Sequence, residues 1–209
     1  MSDATPVPDF SPRTFDEFLA WEMAQEERFE FIDGVVYAVG GGSLLHNVVV
    51  SNVQFHLWTA AGDGPCRAYR ESAKLSDRSH LAYPDVAVVC EPDGTDEYIM
   101  YRPCLLVEVL SPSTARQDRG RKLAFYQSLP SLRSYLIVRQ DYQHVERHWR
   151  DSADAPWQRQ DLTPADGGVP VPCPVEGALP FSLIYRGTTV PDRPPLRRVK
   201  EEPAEEFAA

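Results

Sequence analysis

The sequence predicts an α/β (α+β) domain in which helices flank a central, mixed β-sheet. Three observations carry that expectation. Val86–Val89 and Leu105–Val109 are nearly continuous apolar runs, as expected of central strands covered on both faces. Two earlier segments and one later segment place apolar residues at helical spacing. The order helix, strands, helix, strands then builds layers about one sheet.

The elements follow from local signals. Thr14 caps a helix running to about Ala24, because Glu17 stands three residues on as a capping box requires. RFEFIDGVVYAVG reads as a hairpin turning at Asp33-Gly34, a strong tight-turn signal. Gly40–Gly42 breaks the chain. It lacks a following Gly-Lys-Ser/Thr, so it is a loop and not a phosphate cradle. Ser43 caps a long helix to about Ala61, with Leu45, Val49, Val53 and Leu57 on one face. A strand is expected over Arg67–Lys74, then Asp85–Cys90 and Cys104–Leu110. A helix follows Ser111-Pro112-Ser113-Thr114 and ends near Leu129. Ser134–Val138 and Gln143–Arg150 form a last strand pair. Residues 1–12 are expected to be flexible, 13–187 to form one domain, and 188–209 a disordered tail rich in proline and charge.

The composition is that of a globular chain: 43% apolar and 25% charged in 209 residues. No apolar run approaches the roughly 20 residues of a membrane helix. The N-terminus has neither the basic nor the apolar region of a signal peptide, so a cytoplasmic location is expected. The net charge of −10 argues against a simple nucleic-acid coat protein, which needs clustered Lys and Arg. It argues less against a nuclease, whose acids hold metal. Cys66, Cys90, Cys104 and Cys173 form no C-x-x-C pair, and they are expected to be free thiols in a reducing compartment, not a metal site.

Two carboxylates sit where apolar side chains belong. Asp85 opens one apolar run and Glu108 interrupts the other. Burying a carboxylate costs several kcal/mol unless it is paired. If the two strands are antiparallel neighbours, the start of one meets the end of the other and the acids converge. Converging carboxylates need a shared proton or a cation, and oxygen ligands suit Mg²⁺ or Mn²⁺. On the next helix Asp118, Lys122 and Tyr126 recur every four residues and share a face. A lysine there can orient water or steady charge on a reacting phosphate.

These residues resemble a known family. FEFIDG (29–34), PDVAVV (84–89), VEVLSPST (107–114) and QDRGRKLAFY (117–126) are similar to the motifs of the Uma2-like endonucleases. That family, also called domain of unknown function 820, belongs to the PD-(D/E)xK nuclease superfamily. The resemblance spans about Glu27 to Trp149. It implies a restriction-endonuclease-like core with an N-terminal helix and hairpin. It implies that Asp85 and Glu108 bind Mg²⁺ or Mn²⁺, and that Lys122 replaces the strand lysine, whose place holds Leu110. Glu30 and His46 match accessory positions, and Asp118 is a further accessory candidate. Arg116, Arg119 and Arg121 stand where they could meet a phosphate backbone.

The residues also admit plainer roles. Glu108 could pair structurally with Arg102 or Lys74, Glu30 could be a surface strand residue, and His46 a core histidine. His144, Glu146 and His148 share a strand face but span about 13 Å, so a solvated edge strand is expected there. The leading expectation is a metal-dependent endonuclease acting on DNA, with a homodimer suited to cutting two strands. The alternatives are an inactive nuclease-fold binding or regulatory module, and a hydrolase of a smaller phosphoester.

Overall fold

The computed structural model describes residues 14–70, 72–90, 97–110 and 120–194. Helix α1 (Phe15–Glu22) begins at the expected capping box. The Glu17 amide donates to Thr14 Oγ1 at 3.2 Å and the Thr14 amide donates to Glu17 Oε2 at 3.1 Å. Strands β1 (Phe29–Ile32) and β2 (Val35–Ala38) pair as the expected hairpin, with Ile32 opposite Val35. Asp33 and Gly34 both take positive φ, 53° and 75°. That backbone matches a type I′ turn, which favours Asp-Gly. Helix α2 (Leu44–Ala61) is capped by Ser43, whose hydroxyl accepts from the His46 amide.

The central sheet has six strands. They are β3 (Arg67–Arg70), β6 (Val86–Val89), β8 (Leu105–Val109), β9 (Ser134–Val138), β10 (Val145–Trp149) and β11 (Gln158–Leu162), in the spatial order β11-β10-β9-β8-β6-β3. Only β8 and β9 run parallel. The connection between them carries α3 (Arg121–Ser128), and parallel neighbours require a crossover of this kind.

The sheet buries both faces. Val86, Val88, Leu105, Val107 and Val109 pack toward α2, whose Val49, Val50, Val53 and Leu57 are fully buried. Ala87, Val89, Leu106 and Leu110 pack toward Phe125 and Tyr126 of α3. The alternation along each strand sorts its side chains between the two cores.

A second sheet was not expected. β4 (Lys74–Ser76), β5 (Leu81–Ala82) and β7 (Ile99–Met100) join the hairpin in the order β2-β1-β5-β4-β7. The strand expected over Arg67–Lys74 therefore divides. It turns after Arg70, where the Ala73 amide donates to the Arg70 carbonyl, and restarts at Lys74 in the other sheet. β12 (Gly168–Val171) and β13 (Gly177–Pro180) pair as a separate hairpin. The short α4 (Phe181–Ile184) follows it and packs on α2. Val190, within the stretch read as tail, is buried in the α2-side core.

Three further expectations are corrected. β10 is an interior strand between β9 and β11, and Glu146 and His148 are buried as a pair at 2.7 Å, because β11 supplies the solvent-facing polar edge. Lys74 pairs with Glu22 of α1 at 2.7 Å and not with Glu108. The four cysteines are not free thiols, because the fold brings them together as Cys66–Cys90 and Cys104–Cys173 disulfides.

The β4–β5 turn is held by Asp77. It accepts from the amides of Ser79 and His80 and from the His80 ring at 2.9 Å. The ring stacks on Phe125, with centroids 4.7 Å apart, and also approaches Asp33. The Asp77 hydrogen bond, aided by Asp33, raises the His80 pKa above the usual 6.5 against the opposing effect of burial. A pKa raised by folding stabilises most below the unfolded value, and that share is lost as pH rises through the folded value. Wild-type stability should therefore fall relative to His80→Gln as pH rises from about 6 to about 9. Thermal unfolding of both proteins across that range checks this, and parallel curves would refute the role of His80.

Candidate functional site

The antiparallel register of β6 and β8 pairs Val86 with Val107. The start of one strand therefore meets the end of the other, as the apolar runs suggested. Asp85 lies just before β6, and its Oδ2 accepts from the Val109 amide at 2.6 Å. Strand alternation puts Glu108 on the α3 side of the sheet with Leu106 and Leu110. Lys122 and Tyr126, one helical turn apart on α3, point back at it. Lys122 Nζ lies 3.1 Å from Glu108 Oε1, and the Tyr126 hydroxyl donates to the same oxygen at 2.8 Å.

The hairpin supplies the third acid. Glu30 Oε1 lies 2.8 Å from Lys122 Nζ and accepts from the Tyr83 amide at 3.0 Å. One ammonium thus bridges two carboxylates from two different sheets. The side chains of Lys122, Glu30 and Glu108 are only 7%, 6% and 5% exposed. Asp85 is more open at 14%, and His46 Nε2 of α2 lies 3.3 Å from its Oδ1.

Gly42 makes room for that imidazole. A Cβ on Gly42 would come within 2.9 Å of His46 Cγ and closer still to Cδ2. The sequence showed Gly42 only as part of a chain break.

Of the residues singled out from the sequence, Glu30, Glu108 and Lys122 come together as one ionic cluster. Asp85 and His46 form a pair beside the end of β8. Arg121, the exposed first residue of α3, lies over the Tyr37 ring at 5.5 Å, and Tyr37 is opposite Glu30 in the hairpin. Asp118, Arg116 and Arg119 lie outside the described residues. Tyr126 was read from the sequence only as sharing a helical face with Lys122. Its hydrogen bond to Glu108 was foreshadowed by the four-residue spacing from Lys122.

Three carboxylates against one ammonium leave two negative charges when His46 is neutral. An oxygen-rich donor set with that excess fits Mg²⁺ or Mn²⁺. The acids do not form a closed cage. Among the described residues, the ligand group drawn within 4.8 Å is one of cysteines elsewhere. Mg²⁺ commonly keeps several waters and uses one or two carboxylates plus substrate phosphates, so an open arrangement remains compatible with it.

Residues 15–178 match the family described as "Uma2: Putative restriction endonuclease". The chain belongs to the Uma2 family. Two uncharacterized proteins of Synechocystis sp. are related. One is 35% identical over 160 residues, covering 75% of this chain and 82% of the relative. The other is 32% identical over 154 residues, covering 71% and 86%. The fold is similar to the crystal structure of a protein from Anabaena variabilis described as "a putative nuclease belonging to DUF820". Its TM-score is 0.66 at 18% identity, over 83% of this chain and 98% of that one. The matched residues include the strands and the helix that carry the acids and Lys122.

Removing the bridging ammonium should take a charged partner from two buried acids. Lys122→Met is expected to cost about 3–5 kcal/mol of folding stability. Tyr126→Phe removes one hydrogen bond to a charged group and should cost about 1.5–3 kcal/mol. Denaturant unfolding checks both, and a Lys122→Met protein as stable as wild type would rule out the neutralising role.

Proposed function

We propose that this Uma2 chain is a metal-dependent endonuclease that hydrolyses phosphodiester bonds in DNA. The observation that carries this reading is the Lys122 ammonium held between Glu30 and Glu108 beside Asp85. A purely structural ion pair would need one acid; here the acids outnumber the cation at one end of two central strands. The family description adds support for nuclease chemistry.

In this reading Asp85 and Glu108 hold Mg²⁺ or Mn²⁺, with Glu30 reaching it through water. The bound ion would supply an activated water and polarise the scissile phosphate. Tyr126 fixes the Glu108 carboxylate by donating to Oε1. Lys122 stabilises charge that develops on the phosphate. His46 orients Asp85 from the α2 side, and Gly42 keeps the imidazole in place. Arg121 would contact the DNA backbone, offsetting the overall acidity of the chain.

A second reading is a nuclease-fold binding module without catalysis. Leu110 at the place of the strand lysine favours it, since β8 then offers no ammonium of its own. Supercoiled-plasmid nicking with Mn²⁺ or Mg²⁺ separates the two. Wild type should nick the plasmid, and EDTA should abolish nicking. Glu108→Ala should reduce it on the order of 100-fold or more. Gly42→Ala should lower the rate through His46 while leaving the protein folded. Undiminished cleavage by Glu108→Ala would show that these acids are not the catalytic site. No cleavage by folded wild type would favour the binding module.

A further inference from the structure

The ends of β6 and β8 away from the acids carry a different chemistry. Cys90 directly follows β6, and Cys104 directly precedes β8. Cys66 precedes β3, at the position opposite Cys90 when the β3–β6 register is continued. Cys173 comes from the segment after β12. All four cysteines of the chain therefore meet at one end of the central sheet.

They do not meet as two separate staples. Cys90 Sγ lies 3.5 Å from Cys104 Sγ, although each is bonded to a different partner. The sulfurs of Cys90, Cys104 and Cys173 all lie within 4.8 Å of one another. Tetrahedral Zn²⁺ with bonds of about 2.3 Å separates its sulfurs by about 3.8 Å. Three of the four sulfurs thus already lie within reach of one zinc ion, and Cys66 is bonded to one of them, Cys90. The Cα separations of the two pairs, 3.7 and 6.6 Å, fall below and near the top of the usual disulfide span of about 4.4–6.8 Å.

The surroundings suit thiolates. Cys66 and Cys173 are buried, at 4% and 6% exposed. Cys90 and Cys104 border a cavity of about 210 Å³ that Arg102 and Arg133 also line. Guanidinium groups beside thiols favour the thiolate and offset the double negative charge of a zinc tetrathiolate. The cavity gives an ion a way in.

We propose that, in its reduced form, this cluster is a structural four-cysteine site for Zn²⁺, formed by Cys66, Cys90, Cys104 and Cys173. Two equivalents of a dithiol reductant deliver four electrons and four protons to the two disulfides and leave as their own disulfides. Zn²⁺ then displaces the four thiol protons as four Zn–S bonds form. The ion ties the ends of β3, β6 and β8 to the segment after β12, where no hydrogen-bonded strand pairing among the described residues makes that connection.

The test uses the full chain, reduced and freed of metal, with Zn²⁺ and Co²⁺ as probes. The proposal expects four titratable thiols before metal and one Zn²⁺ per chain. It expects protection of all four thiols afterwards and a higher unfolding temperature with zinc. Co²⁺ should give thiolate charge-transfer bands and the visible bands of tetrahedral cobalt. Those bands should persist in Glu108→Ala, which separates this site from the carboxylates. They should change in Cys173→Ser, with affinity lowered at least about tenfold. Cys66→Ser serves if Cys173→Ser does not fold. Disulfides that resist reduction in the folded protein, reduced protein that takes up no zinc, or cobalt bands unchanged in both cysteine variants would each overturn the proposal.

Discussion

The Lys122 ammonium is the interaction on which the arrangement of the two main sheets depends. Glu30 belongs to the five-stranded sheet, Glu108 to the six-stranded one, and Lys122 to the helix that crosses over between β8 and β9. A carboxylate in the middle of LLVEVL would be too costly without such a partner. With Lys122 and Tyr126 both directed at one oxygen, Glu108 becomes tolerable in an otherwise apolar strand. The same contact fixes α3 against the hairpin. That contact therefore serves both the packing of the two sheets and the assembly of the acidic cluster.

The antiparallel register of β6 and β8 gives the central sheet two chemically distinct ends. Five residues separate Asp85 from Cys90, about 16 Å along an extended strand. Oxygen ligands and cationic nitrogen gather at one end, sulfur at the other. Hard and soft donors sort different ions, so the two ends need not compete for one metal. Between them lie Val86–Val89, all buried. That apolar stretch separates the two groups and holds each at a fixed distance from the other.

Much of this was legible in the sequence wherever the signal is local. The Thr14–Glu17 capping box, the Asp33-Gly34 turn and the Lys122–Tyr126 spacing each specify their geometry within a few residues. The convergence of Asp85 with the end of β8 followed from two apolar runs and one assumption about direction. What escaped depends on partners distant in the chain. Strands of two or three residues, such as Leu81–Ala82, carry no periodicity and exist because neighbours pair with them. HVERH looks like a solvated edge until β11 covers it. The cysteines, 24 and 69 residues apart within their pairs, show no ligand spacing because the sheet, not a short loop, brings them together.

Lys122 has two demands on it in the proposed reaction, and the geometry suggests how both are met. Without a divalent ion, its ammonium neutralises charge on Glu30 and Glu108, which it meets at 2.8 and 3.1 Å. A divalent ion on Asp85 and Glu108 would take over that neutralisation. Glu108 would not need to move, because Tyr126 holds Oε1 independently of Lys122. The ammonium could then turn toward a phosphate while Glu30 remains anchored by the Tyr83 amide. Two neutral donors would thus keep the acids in place if the charged one changed partner. The four-carbon stem of Lys122 supplies the reach for that change. The position of Lys122 on α3 is, on this argument, compatible with catalysis although Leu110 occupies the strand position.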